Sequence, residues 1–286
     1  MSYLVPTEFV TKMVDSGESK VYMSTKDTLI RGYMAGAILA LAAVFAITVA
    51  MKSGSFILAS ALFPVGFIML YLMKFDLLTG VFMLVPLAWL DKRPGVTIGQ
   101  ILRNWGLVAL GNLGGALTVA FMMAFIFTYG TFDTEIAGFG GKIAAKVAGI
   151  GEARTLGYQE HGFTGWLTVF FRGMLCNWMV AMGVVGALVS TTVSGKAIAM
   201  WMPIMLFFFM GFEHSIVNMF LFPFSLIMGG DFTIPDYLLW NELPVAMGNL
   251  VGGLLFTGLT LYFTHVKESP KRKLNNISFE SKSSAA

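Results

Sequence analysis

Residues 241–254 read NELPVAMGNLVGGL, and residues 104–117 read NWGLVALGNLGGAL. At a shift of 137 positions Asn104/Asn241, Val108/Val245, Ala109/Ala246, Gly111/Gly248, Asn112/Asn249, Leu113/Leu250, Gly115/Gly252 and Leu117/Leu254 coincide. The same shift, without a gap, lays FEHSIVNMFLFP (212–223) on FDLLTGVFMLVP (75–86). There Phe75/Phe212, Leu84/Leu221 and Pro86/Pro223 match, and Asp76 falls on Glu213. One offset that aligns two separated motifs marks an internal duplication, which governs the reading of the rest.

The surrounding composition is that of a membrane domain. Of 286 residues 56% are hydrophobic and only 12% charged, about half the charged share of a soluble domain, and the mean hydropathy is +0.75. The first 28 residues are polar, and the first apolar run has the length of a span, not of a cleaved signal. A lone cysteine, Cys176, rules out an intrachain disulfide, and no Cys/His spacing reads as a metal site. No cofactor is expected. The net charge of +3 is small, which argues against nucleic-acid binding.

Six segments can span: Gly32–Met51, Phe56–Leu90, Trp105–Tyr129, Phe163–Val189, Ala197–Met228 and Val245–His265. A bilayer needs about 20 apolar residues per helix. The second and fifth are too long for one helix and are interrupted by MKFDLLTG and GFEHSIVN, so each reads as two half-helices around a break. Three spans per half is odd, so the halves enter the membrane from opposite sides. Unpaired backbone at such breaks is tolerated only where protein or a watery cavity satisfies it, which makes paired breaks a pointer to a permeation site. Thirteen of the nineteen Lys and Arg fall in the N-terminal arm with Arg31, the 91–103 loop, Lys196 and the tail. The positive-inside rule then places both termini in the cytoplasm, in a cell (inner) membrane or, for an algal chain, a chloroplast envelope. The expected order is a cytoplasmic amphipathic arm (1–28), a three-helix repeat (29–130), an extracytoplasmic loop (131–162), a second repeat (163–266) and a basic, disordered cytoplasmic tail (267–286). In the arm, Val5, Phe9, Met13 and Val14 share one side; it reads as a helix lying on the membrane, or as a gating plug.

Asp76 and Glu213 open the half-helices that follow the breaks. A carboxylate there can accept from free backbone N–H groups and oppose the positive helix end, a capping role favoured over direct contact with a permeant. His214 is different. Its repeat partner is Leu77, so the fold does not itself demand an imidazole, and an ionisable group at mid-membrane is costly. Two readings stand: a satisfied core histidine, and the favoured one, a group facing the pathway.

At these residues the chain resembles the formate/nitrite transporter family, over about residues 5 to 268. GFEHSIVNMF is similar to the family's histidine motif, RGMLCNW (172–178) to its fourth-helix motif, and DLLTG (76–80) to the loop that breaks its second helix. The resemblance implies an all-α integral membrane fold of six transmembrane helices, an aquaporin-like inverted repeat of three plus three with broken second and fifth helices. It also implies a homopentamer with one pore per subunit, conducting small monovalent anions of weak acids. By the same resemblance His214 is the pore histidine, Thr79 its partner across the channel, and Asn177 and Asn218 neighbouring polar groups. Phe63, Phe67, Leu78 and Phe207 fall at apolar constrictions. Such slits repel a hydrated anion but pass a small neutral acid, and a histidine with an ordinary pKa of about 6.5 can offer a proton or a hydrogen bond between them.

Three departures matter. Where the family carries a vestibule lysine, sixteen residues before the fourth-helix asparagine, this chain has His161 after Glu160. Lys74 and Phe75 replace small residues of the second-helix signature, and AMG follows CNWMV in place of Cys-Leu-Ala. Lys74 can supply the missing charge to the pathway; equally, it can pair with Asp76 or reach an interface. Arg172 fits the family pattern and reads as a brace for the fourth helix or a vestibule. The expected partners are a small inorganic or organic anion, a proton and the lipid bilayer. Nitrite is the first expectation, then bicarbonate, then formate. An intramembrane enzyme is disfavoured: three histidines, none at HExxH spacing, and no GxSxG. A neutral-solute, aquaporin-like conduit lacks the paired Asn-Pro-Ala boxes.

Overall fold

The computed structural model describes residues 2–135 and 137–265; the tail assigned to 267–286 lies outside the described residues. The described chain is helical apart from its connections and one isolated bridge between Tyr3 and Ser190.

The first helix, α1 (Pro6–Val21), begins on a proline whose fixed φ suits the first turn, and Glu8 accepts from the Val5 N–H at 3.1 Å. Val10, Met13, Val14, Gly17 and Val21 are its buried residues, at the spacing of one helical face. Val5 precedes the helix and is exposed, and Phe9 is only half-buried. The buried face therefore lies further along the arm than Val5 and Phe9 indicate. It packs on α5 (Leu78–Leu90), within the protein.

Among the described residues four helices are long and apolar enough to cross a membrane: α2 (Thr25–Ser53), α6 (Ile98–Thr128), α9 (Gly162–Val189) and α12 (Ile234–His265). Hydroxyls start three of them. Ser24 accepts from Asp27 N–H (3.0 Å), Thr97 from Gln100 N–H (3.3 Å) and Thr233 from Asp236 N–H (3.3 Å), each satisfying an otherwise free donor. Two stretches of α12, Leu238–Glu242 and Gly252–Leu259, are wound as π-helix.

α2 packs on α6, and α9 on α12, through close backbone approach. A Cβ on Gly115 would lie 1.9 Å from the Tyr33 carbonyl oxygen, and one on Gly252 2.0 Å from that of Met174. Only glycine fits either place, and the two contacts correspond: Gly252 is Gly115 shifted by 137, and Met174 is Tyr33 shifted by 141.

Shorter helices fill the rest. α3 (Phe56–Leu62) and α4 (Pro64–Leu72) run in series with a joint at Phe63–Pro64, and α5 resumes at Leu78. α10 (Val193–Phe209) is followed, after five residues, by α11 (Ser215–Ile227). α5 and α11 have 13 residues each, about 20 Å at 1.5 Å per residue. Neither crosses about 30 Å of hydrocarbon alone.

The 131–162 segment is not a plain loop. It holds α7 (Gly138–Ala153) and α8 (Leu156–Gln159). Its glycines obscure the helix in the sequence, but Ile143, Ala144, Val147, Ala148 and Gly151 keep helical spacing and are buried, and α7 packs on α11 as α1 packs on α5.

Candidate functional site

The two interruptions are built alike. α4 closes with Lys74 N–H donating to Tyr71 O (3.0 Å) and Phe75 N–H to Leu70 O (2.9 Å). α10 closes with Gly211 N–H on Phe208 O (3.1 Å) and Phe212 N–H on Phe207 O (3.1 Å). This paired pattern requires a left-handed residue after the helix, and Lys74 (φ 58°) and Gly211 (φ 65°) take that place.

The first donor of each following half-helix is satisfied by an asparagine from a neighbouring long helix. Asn112 Oδ1 accepts from Leu78 N–H (2.9 Å) while its amide donates to Gly32 O and Asp76 O (2.8 and 2.9 Å). Asn249 Oδ1 accepts from Ser215 N–H (3.0 Å) while its amide donates to Gly173 O and Glu213 O (2.8 and 3.0 Å). This corrects the capping role expected of Asp76 and Glu213. Both acids stand two residues before the first helical residue, and their carboxylates turn away to cations. Asp76 pairs with Lys20. Glu213 accepts from Arg154 Nη1 (3.4 Å), Tyr158 Oη (3.1 Å) and Asn218 Nδ2 (3.0 Å). Each cation is itself held by an asparagine on its backbone carbonyl, Asn104 on Lys20 O (3.1 Å) and Asn241 on Arg154 O (2.9 Å).

Arg154 is a site residue that sequence reasoning missed. GESK (17–20) and GEAR (151–154) show the correspondence, at a shift of 134. Burial, and then the adjacent Glu213 charge, push the Tyr158 phenol up to about 12, so it stays protonated as Glu213's donor while accepting from Arg172 Nη1 at 2.7 Å. Arg172 thus braces the cluster. His161 lies on the wall of an open 500 Å³ basin with Arg154, Tyr158 and Arg172.

The residues that break the duplication converge elsewhere. His214 Nδ1 accepts from Ile216 and Val217 N–H groups at 3.2 and 3.3 Å. An Nδ1 facing two donors carries a lone pair, which places the proton of the neutral ring on Nε2. Nε2 lies 3.4 Å from Thr79 Oγ1. The imidazole stacks on Phe207 (5.7 Å, 24°), and Phe207 meets Phe63 edge-on (5.8 Å, 88°). Phe63, Phe67, Leu78 and Phe207 are all buried.

Two cavities approach this point. A 90 Å³ cavity is lined by His214, Phe207, Phe208, Phe212 and Arg154 among others. A 380 Å³ cavity is lined by Phe67, Gly80, Lys74, Arg31 and Lys196 among others, with the Lys20–Asp76 pair on its wall. Thr79 lines neither, but its hydroxyl meets His214, and the next residue, Gly80, lines the larger cavity.

Asn177 and Asn218 line neither cavity. Asn177 Nδ2 donates to Thr79 O (3.1 Å) and Asn249 O (2.6 Å), and Asn218 Nδ2 to Glu213 and to Asn241 Oδ1 (2.7 Å). They fix the elements that carry Thr79 and His214. The Oδ1 atom of each is buried without a hydrogen-bond partner. Among the described residues no group of three or more His, Cys, Asp or Glu could hold a metal ion.

A family model described as formate/nitrite transporter matches residues 7–263. The chain belongs to the formate/nitrite transporter family. It is 36% identical over 210 residues to the probable formate transporter of Methanothermobacter thermautotrophicus, covering 73% of this chain and 74% of that one. It is 28% identical to the formate channel FocA of Escherichia coli K12, over 88% of this chain and 92% of the other. Among solved structures it resembles an FNT family ion channel (TM-score 0.75, 24% identity, 90% of this chain and 99% of that one). It also resembles a pentameric formate channel with formate bound (TM-score 0.68, 22% identity, 85% and 98% covered). Members of the formate/nitrite transporter family are channels and transporters, not enzymes, and this member is an integral membrane protein.

Proposed function

We propose that this formate/nitrite transporter family protein is a channel for small, planar, monovalent anions of weak acids, with His214 as the hydrogen-bond donor at its narrowest part. The observation that carries the reading is the imidazole on the wall of the 90 Å³ cavity, its Nδ1 committed to backbone N–H groups and its Nε2 3.4 Å from Thr79, the residue before Gly80 on the wall of the other cavity. An anion entering between them takes the place of the Thr79 hydroxyl on Nε2–H. The committed Nδ1 supports the donor role over a stored second proton. Apolar rings at Phe63, Phe67 and Phe207 strip water from the anion on the way. In this reading α3/α4 with α5, and α10 with α11, are broken second and fifth spans. Six crossings then arise as two oppositely inserted sets of three, with both termini on the cytoplasmic side of a cell membrane, in a homopentamer.

The relatives' names favour formate as the first anion to assay, ahead of nitrite and bicarbonate. Proteoliposomes offered formate, nitrite and bicarbonate in competition, with and without a pH gradient, test the reading. Wild-type protein takes up at least one of them, and His214→Phe loses that uptake while still assembling. Uptake unchanged in His214→Phe would end the proposal.

A further inference from the structure

Resting on that reading, we infer that the 380 Å³ cavity on the α1 side contains an anion-binding antechamber of its own, formed by Lys74, Arg31 and Lys196. The first observation is charge. Arg31, Lys74 and Lys196 line this cavity together with Lys20 and Asp76. Lys20 and Asp76 neutralise each other as an ion pair. Arg31, Lys74 and Lys196 have no carboxylate partner among the described residues. Three uncompensated cations share a concave, low-dielectric wall, an arrangement that concentrates anions.

The second observation is independent of charge. Lys74 adopts φ 58° at the end of α4, and its repeat counterpart Gly211 has φ 65° in the same hydrogen-bond pattern. A left-handed backbone costs an ordinary side chain stability that glycine does not lose. The first half therefore retains a lysine where the second half uses the residue that fits without strain. Such an outlier is a motive for assigning function. The side chain it keeps is on the cavity wall, two residues after the helix end and two residues before Asp76 of the Asp76–Lys20 pair. The same exchange occurs once more, at Lys92 (φ 56°) and Gly229 (φ 84°), where α5 ends, but Lys92 is not on the cavity wall. It is a built-in control for the alternative that lysines stand at these turns only as charges near the membrane surface.

The ligand class is a small oxyanion. Two lysine point charges and one arginine around a cavity that is not fully enclosed select for charge and size more than for shape, so the site serves to hold an anion ahead of the apolar slits, not to discriminate among anions.

The test uses the full-length protein in proteoliposomes of uniform orientation, with formate as the probe, and compares Lys74→Gly, Lys74→Gln, Lys196→Gln and Lys92→Gly. For flux starting from the α1 side, the Lys74 and Lys196 variants are expected to raise the half-saturating formate concentration on the order of threefold to tenfold. That increase shrinks as ionic strength rises, and flux from the opposite side keeps its half-saturation. Lys92→Gly leaves both unchanged, and Lys74→Gly unfolds at a temperature equal to or above wild type, which separates lost binding from lost fold. Line broadening of 13C-formate by the His214→Phe protein measures occupancy with passage blocked. Broadening that is lost on adding Lys74→Gln supports the antechamber even if no formate crosses wild-type protein. Equal effects of Lys74→Gly and Lys92→Gly on half-saturation, or broadening indifferent to Lys74→Gln, would overturn it.

Discussion

Glu213 is fully buried, and three donors converge on it from Arg154, Tyr158 and Asn218. A buried carboxylate that loses its cation keeps its desolvation cost without the compensating attraction. Arg154→Ala is therefore expected to destabilise the protein by about 3–5 kcal/mol, the range for breaking a buried pair from one side. Lysine at that position should restore most of the loss. Denaturant unfolding in detergent, followed by tryptophan fluorescence, measures both. A loss below about 1 kcal/mol for Arg154→Ala, as for an exposed pair, would show that Tyr158 and Asn218 alone hold the charge. The sequence made Glu213 conspicuous, as an acid in an apolar run, but not Arg154. Counting back from Asn177 leads to His161, whereas the cation that meets Glu213 comes from α7, a helix whose glycines mask it. The expected caps also changed hands. A carboxylate before a helix is the usual sign of a cap, yet the first donor of each half-helix is met by Asn112 or Asn249, whose amides also donate to the break and to a neighbouring helix, and the next two donors of α11 are met by His214. Those asparagines were visible as the most regular feature of the repeat, though their task was not, because it depends on a helix distant in sequence.

Among the elements, most of what is duplicated is scaffold. Arg31 O and Arg172 O accept from Asp76 and Glu213 N–H groups at the same 3.4 Å. Asn112 and Asn249, Lys20 and Arg154, and Asn104 and Asn241 likewise recur as scaffold. His214, Thr79 and Asn218 stand opposite Leu77, Ile216 and Val81 at the shift of 137, and Asn177 stands opposite Gly36 at the shift of 141. Most of the scaffold comes in two copies, whereas His214, Thr79 and the two asparagines that fix the elements carrying them come in one. The repeat was legible in the long helices because Asn and Gly at close contacts admit few replacements. The correspondence of α1 with α7 was not, since different connecting lengths move it to a shift of 134. Close approach of the long helices gives a prediction at this scale. Gly252→Ala places a methyl 2.0 Å from Met174 O and should cost about 1–3 kcal/mol through overpacking. Gly106→Ala in α6 meets nothing within 4 Å and should stabilise by up to about 1 kcal/mol through helix propensity. Thermal unfolding of both variants, with opposite shifts, checks the assignment; a neutral Gly252→Ala would mean that α9 and α12 can separate without loss.

For the whole molecule, the proposed reading has two oppositely inserted halves meet at a single imidazole, approached from the two sides by separate cavities. The large cavity opens beside α1 and carries Lys74; the open basin carries His161. On the proposed inverted insertion these two residues lie on opposite faces of the membrane, whatever anion is preferred. Cys176 is the only cysteine and is buried, so introduced thiols can be labelled against a quiet background. The decisive measurement is reaction of Lys74→Cys and His161→Cys with a membrane-impermeant thiol reagent, added to intact and to inverted membrane vesicles. The account predicts that each cysteine reacts in one vesicle orientation only, and that the two orientations differ. Labelling of both cysteines from the same side would contradict it.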